Sequence, residues 1–309
     1  MKTDYVTHPV FEQHEVPAGH PEHPGRIRSI WAAIQPLVNA GTVERKDAPR
    51  AKREQLLAVH TEDYVEQVYR MAPADSVVEL DHETTMGPHS LEAAERAAGA
   101  VCLAGDALIT GETQRVFCAV RPPGHHARSH SVAGFCIFNN IAVGAAQALT
   151  HPNVSRVAIV DFDVHHGDGT EEIFRDRSDV MMCSTYQHPL YPGVNLPSIP
   201  QSQVNVPLPA GADSASFRQA VTESWLPELD RFEPDLVMIS AGFDAHRNDP
   251  LGGLQLDAVD FAWATSQMVA IAERYAGGRV LAVLEGGYDV SALAECSVAV
   301  VGALTDGLH

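Results

Sequence analysis

The chain has 309 residues, long for one domain but within the range of one large α/β fold, and its 45% hydrophobic content is that of a globular protein with a sizeable core. Forty acidic against 21 basic residues leave a formal net charge of −19, which argues against a nucleic-acid partner and favours solubility. No run of about 18 apolar residues marks a membrane span, and the start MKTDYVTHPVFEQ lacks the apolar stretch of a secretory leader, so the expected location is the cytoplasm.

In chain order, residues 19–25 are rich in Pro, Gly and His and read as a loop. Residues 90–108 are Ala-rich and read as a helix with Ser90 as its N-cap. The apolar run 115–120 (RVFCAV) reads as a strand that opens into RPPGHHA, with the tandem His125 and His126. A helix over 140–149 follows the GFC segment, and residues 157–160 (VAIV) form a second strand that opens into DFDVHHGDG. The Pro- and Gly-rich stretch 187–209 reads as a long loop, of the kind that walls or covers a site. Helices over 213–230 and 257–275 begin at the cap candidates Asp213 and Asp257. Between and after them, strands at 236–239 (LVMI) and 280–284 (VLAVL) open into SAGFDAH and EGGYD. Short apolar runs flanked by Gly or Pro suit strands buried on both faces, and their alternation with helices predicts parallel βαβ units in a three-layer sandwich. No repeat or linker divides the chain, so one domain over 1–309 is expected. Five cysteines, at 102, 118, 136, 183 and 296, form no CxxC pair and read as reduced core thiols, Cys136 among them despite its place near the polar segments.

Four strands thus deliver Asp, His and Tyr to the carboxyl rim of one sheet, where α/β folds bind ligands. Side chains of an extended segment alternate, so Asp161, Asp163 and His165 face the same way. A solvated acidic loop would account for this stretch alone, but not for its repetition at four strand ends. Asp163, His165 and Asp244 make a three-ligand metal set with a position left open for water and substrate. Asp161 is better placed to orient a histidine. His125 and His126, with rings expected to diverge along an extended backbone, each need a partner, and Asp161 and Asp168 can supply one each. One histidine can then take a proton from an attacking water. Tyr288, after Gly286 and Gly287, can donate to a carbonyl oxygen that becomes an oxyanion. Taken singly, His125 could cap a turn and Tyr288 could be core; together they describe hydrolysis of an amide or ester.

The segments RPPGHHA, GFCIFNN, DFDVHHGDGT, SAGFDAHRNDPLGG and LEGGYD resemble those of the zinc-dependent histone deacetylase family, bacterial members and acetylpolyamine amidohydrolases included. GHPEHPGRIRSI resembles the start of its class II branch, and the likeness runs from about Thr7 to Tyr288. It implies an arginase-like α/β fold with an eight-stranded parallel sheet and one catalytic domain. It places zinc on Asp163, His165 and Asp244. It makes His126 the general base, paired with Asp168, and His125 an electrostatic catalyst, paired with Asp161. Tyr288 would polarise the acyl carbonyl. Phe135 and Tyr191 would wall an acyl-lysine tunnel, and the Gly134 backbone would meet the substrate amide. Structural potassium is implied at Asp161, Asp163, His165 and Ser184, with a second ion near Phe174, Arg177 and Val180 and a contributor near Ser202. An Asp₂His set accepts Fe²⁺ as well as Zn²⁺.

Three other readings stand beside this one. A binuclear manganese ureohydrolase needs further carboxylates, where this chain has Gly167 and His246. A catalytically dead acyl-lysine binding module would not need the Tyr288 that is present. An acetylpolyamine deacetylase would need an acidic residue at the tunnel mouth, where Leu251 occupies the position that is glutamate in the polyamine-specific animal branch. Glu79, Asp81 or Glu83 can supply that acid from another loop. The expected partner is a small molecule or an acyl-lysine peptide, and the sequence admits a monomer or a homo-oligomer.

Overall fold

The computed structural model describes residues 3–306. In chain order, β1 (Thr3–Thr7) and a 3-10 turn (Pro9–Gln13) lead to α1 (Gly25–Asn39), β2 (Val43–Asp47), α2 (Arg53–Leu56), α3 (Glu62–Met71) and an antiparallel pair, β3 (Val78–Glu79) and β4 (Thr85–Met86). There follow α4 (Ser90–Thr110), β5 (Arg115–Cys118), α5 (Asn140–Ala148), β6 (Val157–Asp161), α6 (Asp168–Phe174), β7 (Val180–Gln187) and β8 (Gln203–Leu208). The last third holds α7 (Ser214–Ala220), a π-helical turn (Val221–Trp225), α8 (Leu226–Phe232), β9 (Leu236–Ala241), α9 (Ala258–Tyr275), β10 (Val280–Leu284) and α10 (Val290–Asp306).

Eight strands form one parallel sheet in the order β2-β1-β5-β10-β9-β6-β7-β8. Every residue of β5, β6, β9 and β10 is buried, and since successive side chains point to opposite faces, both faces are covered. Helices α4 and α5 pack together, and α1, α9 and α10 form a second group. The four strands read as apolar runs are thus the middle of the sheet, side by side, and their carboxyl ends meet at one rim.

Three expectations need correction. The stretch 187–209 is not all loop, because β8 lies inside it at the sheet edge, where Pro207 gives up no hydrogen bond that the sheet needs. The helix over 213–230 is broken into α7, a π turn and α8, since Pro227 in the first turn of α8 has no N–H to continue the ladder. Ser90 is not the N-cap of α4; His89 holds that position, and Ser90 Oγ accepts the Gly87 N–H at 2.8 Å. Asp213 and Asp257 do cap α7 and α9.

Candidate metal centre and active site

Asp161 closes β6 opposite Ser240 of β9 and Ser184 of β7, so the residues after it emerge at the middle of the rim. Asp163, His165 and Asp244 offer one ligand atom each within 4.8 Å of one another. His165 Nδ1 lies 3.0 Å from Asp163 Oδ1 and 3.2 Å from Asp244 Oδ2. Backbone donors aim both carboxylates: Gly286 N–H bonds Asp163 Oδ2 at 2.8 Å, and Val164 N–H bonds Asp244 Oδ1 at 2.8 Å. Gly286 is required at its position, since a Cβ there would overlap Asp244 Oδ2 and crowd Asp163.

This donor set fits a divalent cation. Asp244 Oδ2 is buried and makes no hydrogen bond of acceptable geometry, although His165 stands 3.2 Å away. Burial and the like charge of Asp163 push the Asp244 carboxyl up to about 7. Burial works to lower His165, but the Asp163 and Asp244 carboxylates beside it outweigh that and push the ring up to about 10. The cluster therefore gathers two buried carboxylates and an imidazole around an oxygen left without a hydrogen bond, a charge and donor set that a dication can neutralise. Asp161 turns away to His125. His246, buried, accepts the Asn248 N–H through Nδ1. At Gly167 a Cβ would run into Asp161 Oδ2 and stand 3.1 Å from His125 Nδ1. Gly167→Asp, which restores a ureohydrolase-like carboxylate, is expected to lower stability by about 1–3 kcal/mol through overpacking. It should bind no second ion. Thermal unfolding and metal stoichiometry check both, and two ions per chain in the variant would contradict the expectation.

His125 and His126 sit in a turn, not in extended chain, so their rings do not diverge; their centroids are 4.0 Å apart. Each still has its own carboxylate: His125 Nδ1 lies 2.9 Å from Asp161 Oδ2, and His126 Nδ1 lies 2.8 Å from Asp168 Oδ1. Burial acts to lower His125, but Asp161, Asp163 and Glu285 outweigh it and hold the ring protonated well above its ordinary range. Burial and the charge of His125 push His126 down to about 4, against the pull of Asp168. Burial opposes Asp168 too, yet His126 and Arg128 hold its carboxyl at about 2. The pair is thus split into a charged His125 and a neutral His126 that is free to accept a proton.

His126 and His165 line a pocket of about 270 Å³ with Gly134, Phe135, Tyr191, Leu251 and Tyr288, closed by Pro21, Leu190 and Glu83. Tyr191 stands perpendicular to His126 at 5.0 Å between centroids, and Phe135 meets Tyr288 edge-on at 6.0 Å. Gly134 has φ +51 and lies so close that a Cβ would stand 2.5 Å from His126 Cδ2. Phe135 takes φ 67, a strained setting for a side chain, and His20 packs edge-on against it. Burial pushes the Tyr288 hydroxyl well above its usual range, so it remains a donor. Cys136 is buried, its thiol pushed well up by that burial, and all five cysteines are buried and unpaired. Of the three acidic candidates only Glu83 lines the pocket; Asp81 instead accepts the Glu83 and Thr84 N–H groups, and Glu79 is an exposed residue of β3.

Ser184 Oγ lies 3.3 Å from His166 Nδ1, beneath the strand end, and Ser202 Oγ reaches the Arg177 carbonyl at 3.3 Å beside the Phe174 turn. Sequence reasoning overlooked the supporting polar groups. Arg128 holds Asp168 at 2.6 Å. Glu285 Oε2 accepts the N–H groups of Gly124 and His125 at 2.7 and 3.0 Å. Arg26 lies 5.0 Å from the Tyr288 ring centroid and donates to the carbonyls of Gly287 and Glu285, while Glu22 joins it to Arg121. The motifs GHPEHPGRIRSI, RPPGHHA and LEGGYD carry Glu22 and Arg26, Arg121, and Glu285, and were the available signal.

The histone deacetylase domain family matches residues 20–304 of the chain. A histone deacetylase-like amidohydrolase of Pseudomonas aeruginosa is 36% identical over 93% of this chain and 77% of the relative. A probable deacetylase of Archaeoglobus fulgidus is 35% identical over 98% of this chain and 86% of the relative. The crystal structure of the HDA15 HD domain superposes with a TM-score of 0.90 at 33% identity, over 99% of this chain and 88% of that one. Among the described residues no helix is long and apolar enough to cross a membrane.

Proposed function

The chain belongs to the histone deacetylase family, and from that premise we propose that it is a zinc-dependent amidohydrolase that removes acetyl or other acyl groups from acyl-lysine side chains or similar N-acyl amines. One observation carries this reading: His126, Tyr288 and the His165 of the Asp163–His165–Asp244 cluster line one mostly apolar pocket. A dication held by that cluster would supply a Lewis acid that polarises the acyl carbonyl and acidifies a water; Asp₂His suits Zn²⁺ and accepts Fe²⁺.

The chain's own residues do the rest. Phe135 and Tyr191 hold the alkyl stem of the substrate and exclude water. His126, with Nδ1 tied to Asp168, uses its other nitrogen to take the proton of the attacking water and returns it to the departing amine. His125, paired with Asp161, keeps positive charge beside the developing oxyanion. Tyr288 donates its O–H to the carbonyl oxygen as charge builds there. We assign potassium a structural role at Asp161, Asp163, His165 and Ser184, on the family resemblance. Loss of the Tyr288 hydroxyl in Tyr288→Phe is expected to lower kcat by about 10²–10³-fold with metal content unchanged. Full activity in that variant would remove Tyr288 from the mechanism.

Glu83 favours a second reading. An acidic residue on an apolar lining suits a substrate that carries a further ammonium, as an acetylpolyamine does. Leu251 at the same pocket speaks for the uncharged stem of acyl-lysine. A panel of acetyl-lysine peptide, longer acyl-lysines, N-acetylputrescine and N-acetylspermidine, on protein of defined metal content, tests both. The peptide is expected to have the higher kcat/KM. A tenfold preference for the polyamines, about 1.4 kcal/mol in the transition state, would establish the second reading.

A further inference from the structure

We propose that Asp249 is the positioning residue for Tyr288, and that through it the rim of the pocket sets the placement of the hydroxyl that faces the substrate. Asp249 lies on the loop between β9 and α9 and is 7% exposed. Its Oδ2 accepts the Tyr288 N–H at 2.6 Å and the Asp289 N–H at 3.2 Å, and its Oδ1 accepts the Leu251 N–H at 2.9 Å. The Leu251 bond spans two positions and is the ordinary turn that an aspartate makes with its own loop. The Tyr288 bond spans 39 positions and no local turn requires it.

Tyr288 needs an external anchor. It follows Gly286 and Gly287, the latter at φ +116, so the chain before it has little stiffness of its own. The Arg26 guanidinium lies 5.0 Å from the ring centroid, but among the described residues the hydroxyl has no hydrogen-bond partner that would fix it. Arg26 and Asp163 hold the residues before Tyr288, and the Asp249 carboxylate holds the N–H of Tyr288 itself, from which the side chain projects. One of its oxygens holds the tyrosine and the other holds Leu251, which lines the same pocket. A substrate that presses on Leu251 therefore acts on the carboxylate that orients Tyr288, and a misplacement of about 1 Å at such a group can cost about 10²-fold in rate.

The inference rests on the amidohydrolase reading only for the role of the Tyr288 hydroxyl, and a double-mutant cycle decides it. Asp249→Ala is expected to lower kcat by about 10–10²-fold while KM and metal content stay near wild type. In the Tyr288→Phe background the same change should cost less than about threefold, because the group it positions is gone. Asp249→Asn, which keeps one acceptor oxygen, should lose less than Asp249→Ala and stands in for it if the alanine variant does not fold. Independently of any substrate, hydrogen exchange at the Tyr288 and Asp289 amides should speed up by about tenfold or more in Asp249→Ala. Losses that multiply in the double variant, kcat within about threefold of wild type, or unchanged exchange at those amides would each overturn the proposal. A wild-type chain inactive on the whole substrate panel would instead overturn the reading of function, and amide exchange would still decide the role of Asp249.

Discussion

Asp244→Ala is expected to abolish metal binding and activity together. The three ligand atoms meet within 4.8 Å, and Asp244 Oδ2 is the buried oxygen without a hydrogen bond of its own. Removing it leaves two ligands, fewer than the three protein ligands of catalytic zinc sites. It also removes the acceptor of the Val164 N–H, so the loop between Asp163 and His165 loses an anchor. Equilibrium dialysis against zinc should show about one ion per chain in the wild type and none retained at micromolar metal in the variant. Wild-type affinity in Asp244→Ala would disprove the assignment.

His126→Ala is expected to leave the metal in place and lower kcat by about 10²–10⁴-fold, the usual contribution of a general base. His126 is not one of the three ligands, and its Nδ1 bonds Asp168, so its removal does not open the ligand set. Asp168 keeps Arg128 as a partner, which limits the structural penalty of leaving that carboxylate buried. A matching loss in His125→Ala would not separate the two rings, but metal affinity would: His125 Nε2 lies 3.8 Å from Asp163 Oδ2, so that variant removes a positive charge beside the ligand set and is expected to tighten the ion's hold. His126→Ala with near-normal kcat would return the role of base to another group.

What could be read from the sequence was set by how costly each feature is to place. Asp161, Asp163, His165, Asp244 and the tandem histidines follow apolar strands, where charge is tolerated only when it is paired or bound, so their purpose showed in their neighbours. The middle strands showed for the same reason, being apolar throughout. The edges did not. In β2 the sequence VERKD carries the charges that keep an edge from pairing with another chain, and it resembles a loop. At the other edge, β8 contains Pro207. The roles of Asp249 and Glu285 were invisible for a different reason, since both bind backbone N–H groups, which every residue type supplies. Arg26, Glu22 and Arg121 form a network only once separate segments of the chain have met. The diverging histidine rings were an error of backbone assumption, because the turn at 125–126 brings them side by side.

The order of the central strands, β5-β10-β9-β6, has a consequence for how the protein comes into being. The Val164–Asp244 bond joins groups 80 positions apart and the Glu285–His125 bond groups 160 apart, so no short stretch of nascent chain contains a working site. Contacts that close such long loops form slowly and late, after the sheet has paired from β5 through β6. An ion held by Asp163, His165 and Asp244 would therefore be expected to meet a rim already formed, unlike the ion of a zinc finger. Refolding rates should be the same with and without a chelator, while capture of the ion should coincide with the last step of the native transition.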